Sequence, residues 1–341
     1  MEQDRSSGLQ IARALAALSI AYFHSWHVIM PFPANTAYPI PLLKDFGWIS
    51  VDFFFAISGF VLGLVITRPS FKPMEFLIRR AFRLYPLWIA TSLAAAYLYR
   101  HYLGWPPNAT PGFFLYSFTL LPTEGYPFYD LGWSLQHELA FYVLAALIAP
   151  HFGLAGLILF LSVGVISDHF LALPWYVHQY AFYYGNFLAG IAAFLTYRRL
   201  RAFGFLVPLG TGLLLMYCFT WWVGRSAYPI GLFFVLVAFV NIEFNEKSVW
   251  ERAGVLLGDA SYSIYLIHPL VFLFIYAKLQ SPLPPIWSEE FIRFGAIAFI
   301  CLVACLSWRY FETPINNAAK RIAARVTGRV LLAYPGQPKS S

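Results

Sequence analysis

Arg13 and His24 stand eleven positions apart in one apolar stretch. That is close to three helical turns, so both share a helix face about 16 Å apart along its axis. Ionisable side chains inside an apolar helix are costly and mark function by default. An imidazole titrating near neutrality can take a proton from a weak nucleophile. A guanidinium can hold an anionic ligand in a fork of hydrogen bonds. Each also has a plainer reading: Arg13 as an anchor reaching back to the interface, His24 as an interfacial histidine beside Trp26. Asp52 opens a second apolar stretch. If the two helices run antiparallel it lies roughly level with His24, where a carboxylate would orient the ring and favour its charged form. Its plainer reading is a helix-start carboxylate.

Glu138 stands four residues after Ser134, about one and a half turns into an apolar helix. A carboxylate at that depth needs a wet cavity or a cation. His137-Glu138 opens a zinc-protease pattern, but Phe141 occupies the place where HExxH needs its second histidine. That reading fails, and no metal site is expected. Ser261, Tyr265 and His268 fall at i, i+4 and i+7, a polar stripe on one face. The stripe reads equally as a pocket wall or as a hydrogen-bonded helix seam, and Pro269 predicts a kink with a freed carbonyl beside it. Arg79, Arg80 and Arg83 cluster at another helix start, with Arg80 and Arg83 on one face. Three guanidinium forks suit a ligand carrying phosphates. Ordinary topology-setting charge explains the cluster too.

The elements that position these groups follow from composition. Of 341 residues, 60% are hydrophobic, 20% aromatic and only 11% charged. Soluble domains carry roughly 25% charged residues. The chain cannot cover a water-facing surface, which excludes a soluble enzyme, a disordered chain and a nucleic-acid partner. Its net charge of +7 comes in short clusters between apolar runs, not along a basic stripe. The expected fold is all-α, a polytopic membrane protein. About ten spans are predicted, near 8–30, 47–67, 82–99, 132–150, 152–170, 177–197, 203–223, 227–243, 255–277 and 290–311. With both termini cytoplasmic, 18 of the 23 Lys and Arg fall on the inner side. Residues 1–315 then form one transmembrane domain and 316–341 a basic cytoplasmic tail. The stretch 100–131, rich in Pro, Gly and aromatics, reads as an ordered lid or a re-entrant loop. Gly59 and Gly63 predict a close helix contact. The three cysteines lie in apolar runs and imply neither a disulfide framework nor a zinc site.

Five motifs, taken in order, carry a resemblance. They are Arg13 with ten residues before His24, Gly47-Trp48-Ile49-Ser50-Val51-Asp52-Phe53-Phe54-Phe55-Ala56-Ile57-Ser58-Gly59-Phe60, and Arg79-Arg80-Ala81-Phe82-Arg83-Leu84-Tyr85-Pro86. Trp133-Ser134-Leu135-Gln136-His137-Glu138 and Ser261-Tyr262-Ser263-Ile264-Tyr265-Leu266-Ile267-His268 complete the set. Together they resemble the acyltransferase 3 family of integral membrane acyltransferases, most of all the exopolysaccharide acetyltransferases that lack an added esterase-like domain. Ser50, Ala56 and Leu84 depart mildly from the family pattern and leave its charged positions intact.

The resemblance implies transfer of an acyl group, usually acetyl from cytoplasmic acetyl-CoA, to a carbohydrate hydroxyl on or near the far face of a bacterial cytoplasmic membrane. His24 matches the histidine regarded as essential, as general base or acyl carrier. Arg13 matches its Arg-x10-His partner, and Arg80 and Arg83 the Arg-x-x-Arg pair. The expected site has His24 with Asp52 and Glu138 as catalytic groups, Asp52 or Glu138 orienting the imidazole. Arg13, Arg79, Arg80 and Arg83 hold the acyl-CoA; Trp133, Ser134, Tyr265 and His268 meet the carbohydrate acceptor. Membrane lipid is the other expected partner. A proton-coupled transporter or lipid-linked-sugar flippase is the competing reading, with Glu138, Asp52 and His24 as a relay. Such proteins often show inverted repeats with broken helices, and no internal repeat is visible.

Overall fold

The computed structural model describes residues 7–28, 40–106, 109–242, 248–278 and 289–328. Among them every regular element is helical: α1 (Ser7–Val28), α2 (Pro41–Phe46), α3 (Ile49–Ile66), α4 (Pro73–Leu98), α5 (Pro111–Ser117), α6 (Gly132–Phe170) and α7 (Trp175–Leu200). The chain continues with α8 (Leu206–Trp222), α9 (Tyr228–Val240), α10 (Val249–Asp259), α11 (Ser261–Lys278), α12 (Glu289–Ser307) and α13 (Thr313–Val326). The all-α expectation therefore holds for the described residues.

The expected ten spans are not what these helices amount to. Among the described residues four segments are long and apolar enough to cross a membrane: Ile49–Ile66, Gly132–Phe170, Ser261–Lys278 and Phe291–Val326. A fifth appears if Trp175–Phe203 and Leu206–Trp222, bent by 120°, count as one broken span. The shortfall has physical causes. Gln10, Arg13 and His24 dilute the apolar character of α1, and Glu75, Arg79, Arg80 and Arg83 crowd the first turns of α4. With 13 residues, α9 reaches only about 20 Å, short of a hydrocarbon core of roughly 30 Å. The runs 132–150 and 152–170 are two helices that meet at a kink at Gly153, whose φ of 62° and ψ of −162° lie outside the helical region, and they count together as one apolar segment. Glycine takes that conformation at little cost.

α3 is the most enclosed of the four candidate spans and packs against α1, α6, α7 and α9. Its approach to α7 leaves no room for side chains. A Cβ on Gly59 would lie 2.1 Å from the Phe187 carbonyl oxygen, and one on Gly190 1.8 Å from that of Ala56. Small residues at such crossings bring backbones into van der Waals contact, the main attraction between helices in lipid. The expected close contact at Gly59 is this one, and Gly63 makes room for the Phe194 ring.

The stretch 100–131 is ordered where it is described. Trp105 packs on Phe128 at 4.9 Å between ring centroids, and Phe114 packs on Phe128 at 4.7 Å. Gln136 Nε2 donates to the carbonyl of Leu121 at 2.7 Å, and the Tyr129 hydroxyl to that of Leu266, also at 2.7 Å. The stretch is thereby tied to α6 and α11. At the other end of the protein α13 lies on α4 with Ala319 and Ala323 buried. It brings Lys320 beside the arginines of α4. Residues 329–341 of the expected tail lie outside the described residues.

Candidate functional site

Three adjoining cavities run through the helices. The first is basic. Among the described residues six cations line it, Arg68, Lys72, Arg79, Arg80, Arg83 and Lys320, against one carboxylate, Glu75. Arg79 is paired with Glu75 across one helical turn. The excess of guanidinium and ammonium groups suits a polyanion. Sequence reasoning placed only the three α4 arginines here. Arg68, Lys72 and Lys320 join them because the α3–α4 turn and α13 close over the same opening, a long-range contact that no local pattern announces.

Arg80 and Arg83 also line the second cavity, a central chamber of about 90 Å³. Arg13, Ser58, Ser134, Glu138, Tyr142, Ser261, Tyr262 and Tyr265 complete its polar wall. Glu138 accepts hydrogen bonds from the hydroxyls of Tyr142 and of Ser58, the latter at 3.2 Å. The Arg80 guanidinium lies 4.7 Å from the Tyr142 ring centroid, a cation–π contact. Arg13 and Arg83 are within electrostatic reach of Glu138, so the carboxylate has the cations its depth demands. Glu312 and Asp259 also act on Arg13 and were not anticipated. Glu312 accepts from Ser263 Oγ at 2.5 Å. A carboxylate closing an apolar run is the signal that could have found it.

The third cavity, about 630 Å³, is lined by aromatic rings, among them Trp48, Tyr126, Trp133 and Tyr183, together with His24, Gln136, Gln179 and Arg225. Val51 and Tyr265 line both this cavity and the central chamber. At that junction the Tyr265 hydroxyl meets Ser134 Oγ at 2.7 Å. The three cavities therefore form a series from the basic cluster to His24, with Arg80 and Arg83 at one junction and Val51 and Tyr265 at the other.

The expectation that Asp52 lies beside His24 is not met. Asp52 is buried and bound by Arg225, at 2.9 Å from Nη2 and 3.1 Å from Nε, and by Asn186 Nδ2 at 3.0 Å. The reason is angular. Val51, Phe54, Phe55 and Ser58 form the face of α3 that lines the chamber. Asp52 is turned about 100° from Val51, toward α7 and α9. Arg225 lies over the rings of Trp48, Tyr183 and Phe182, at 4.6, 5.4 and 5.5 Å. Glu138 does not orient His24 through the bonds just described; it serves the central chamber.

The ring facing His24 belongs to His268. His24 Nδ1 lies 2.8 Å from His268 Nε2, with the ring planes 19° apart. His268, expected among the acceptor-binding residues, is fully buried behind His24 and lines neither of the two cavities; it stands in the seam between α1 and α11. Trp133, Ser134 and Tyr265 do reach the cavities, Trp133 on the aromatic side and the other two at the junction. The His137 ring is fixed by the carbonyls of Trp133 and Gln179, at 2.6 and 2.7 Å. Among the described residues no group of three His, Cys, Asp or Glu side chains is arranged to hold a metal ion.

Comparison with known proteins adds an independent finding. The family model described as an acyltransferase domain matches residues 6–309. The chain is 28% identical over 327 residues to the "Exopolysaccharide production protein ExoZ" of Rhizobium meliloti (strain 1021), covering 83% of this chain and 94% of the relative. It is 24% identical over 290 residues to the "Putative acetyltransferase ORF330" of Acidianus two-tailed virus, covering 80% of this chain and 84% of the relative. No solved structure matches the chain.

Proposed function

The chain belongs to the acyltransferase 3 family, an integral membrane acyltransferase, and from that premise we propose that it moves an acetyl group from acetyl-CoA to a hydroxyl of an exported carbohydrate. The observation that carries this reading is that Val51 and Tyr265 line both the chamber bordered by Arg80 and Arg83 and the cavity bordered by His24, so the two adjoin. In this account the basic cavity faces the cytoplasm, as the positive-inside tendency favours, and both termini lie on that side of a bacterial cytoplasmic membrane. Arg79, Arg80, Arg83, Lys72 and Lys320 hold the phosphates of CoA. The pantetheine arm extends along the central chamber past Arg13 and Glu138, and the thioester stops near Ser134 and Tyr265.

The acceptor enters through the aromatic cavity, where flat rings suit the apolar faces of sugars and Gln136, Gln179 and Arg225 offer hydrogen bonds. A relative named for exopolysaccharide production supports a polysaccharide acceptor. A sugar hydroxyl is a weak nucleophile. His24 removes its proton as the oxygen attacks the thioester carbonyl, a contribution of typically 10²–10⁴-fold.

The test uses purified protein in liposomes. Wild type should bind acetyl-CoA, and Arg80→Ala with Arg83→Ala should weaken that binding by at least tenfold with folding unchanged. Binding that stays at the wild-type level would remove the phosphate site, and with it the proposed route.

A further inference from the structure

The hydrogen bonds around His268 assign protons to four ring nitrogens. His268 Nδ1 lies 3.0 Å from the carbonyl oxygen of Ile264. A carbonyl oxygen only accepts, so His268 Nδ1 carries a proton, and in the neutral ring Nε2 is the lone-pair nitrogen. That lone pair faces His24 Nδ1 at 2.8 Å. Two lone pairs would repel at this distance, so His24 Nδ1 is the N–H donor. A neutral His24 then keeps its lone pair on Nε2. The assignment follows from the network, as tautomers must.

We infer that His268 is a positioning residue that, backed by the Ile264 carbonyl, holds His24 in the Nδ1–H tautomer with Nε2 as its basic nitrogen. The packing suits that task. His268 is fully buried, and the rings of Tyr265 and Phe272 lie 6.0 Å from its own, so it is held in place and kept from the substrate. Pro269 follows it in α11 and has no N–H to offer the Tyr265 carbonyl, which loosens the ladder at this turn. A buried group behind a base is how acyl-transfer sites orient an imidazole, most often with a carboxylate. Here the carboxylate predicted for that place, Asp52, is bound to Arg225 instead.

The role rests on the function proposed above. In the transfer step the acceptor O–H gives its proton to His24 Nε2 as the oxygen bonds to the thioester carbonyl carbon. The C–S bond then breaks, sulfur leaves with the electron pair, and the Nε2 proton passes to the thiolate. Between these events His24 is an imidazolium whose Nδ1–H donates to the His268 lone pair, and His268 passes the polarisation to Ile264.

Two readouts test this. The first is ¹⁵N NMR of histidine-labelled full-length protein in detergent, with His24→Gln used to assign the signal. Wild type should show a protonated Nδ1 and an unprotonated Nε2 at His24, and His268→Ala should lose that preference. A wild-type ring protonated on Nε2 alone, or a tautomer unmoved in His268→Ala, overturns the inference. The second readout is acetyl transfer from acetyl-CoA to the polysaccharide fraction of the source cells. His268→Ala should lower kcat roughly 10- to 100-fold with KM for acetyl-CoA within about twofold. His268→Gln, whose Oε1 can accept from Nδ1–H, should recover part of the loss. Wild-type kcat in a folded His268→Ala protein overturns the inference if His24→Ala is inactive. If His24→Ala transfers acetyl normally, the base role of His24 fails first, while the NMR result still judges the tautomer.

Discussion

Asp52 offers the sharpest separation between a structural and a chemical role. Its carboxylate is buried with a side-chain exposure of 2%, while that of Arg225 is 36%. Two charge-assisted bonds to Arg225 and one bond from Asn186 hold it. Removing one partner of a buried pair typically costs about 3–5 kcal/mol. Arg225 is partly exposed, so water relieves some of that cost in Asp52→Ala, and a loss of about 2–4 kcal/mol is expected. Asp52→Asn keeps the shape and part of the hydrogen bonding, and should lose about 1–2 kcal/mol. The assay is a double-mutant cycle on unfolding in detergent, combining Asp52→Asn with Arg225→Met. The two changes should couple by more than about 1 kcal/mol, because they remove the same bonds. Acetyl transfer measured well below the melting temperature should fall less than tenfold in Asp52→Asn. A folded Asp52→Asn protein with unchanged stability and transfer reduced 10³-fold or more would refute this reasoning and return Asp52 to the side of His24.

Two further outcomes follow from the cavities. Glu138→Gln should leave acetyl-CoA binding within about threefold and slow single-turnover transfer, because it removes the charge that Arg13 and Arg83 face but keeps the bonds to Ser58 and Tyr142; stopped mixing with labelled donor reads both, and a change in melting temperature alone would make Glu138 a packing element. Val51→Trp should add bulk where the two cavities share a wall beside Tyr265, retain donor binding and stop transfer. Transfer at the wild-type rate would show that the acyl group takes another route.

How far the sequence carried this picture depends on the kind of contact. Apolar runs located the longer helices, and the glycines of α3 announced a close crossing. Apolar length did not distinguish a full span from a short or polar helix, so α1, α4 and α9 were all counted as crossings. Arg13, Arg80, Arg83, Ser134, Glu138 and Tyr265 converge on one chamber because each sits at the chamber-facing angle of its helix. Asp52 misled because one residue of rotation sends a side chain to a different neighbour, and nothing local reveals which helix that is. Arg225 lies 173 positions from Asp52, Lys320 belongs to a helix read as tail, and the 244-residue separation of His24 from His268 hid their contact. The resemblance named these histidines separately; only the packing of α1 on α11 made them a pair.

The account stands most directly on His24→Ala measured in single turnover, with acetyl-CoA supplied to the basic side of oriented proteoliposomes. A folded variant that binds acetyl-CoA as tightly as wild type and transfers acetyl at least 10²-fold more slowly is the predicted result. Transfer at the wild-type rate by that variant would contradict it.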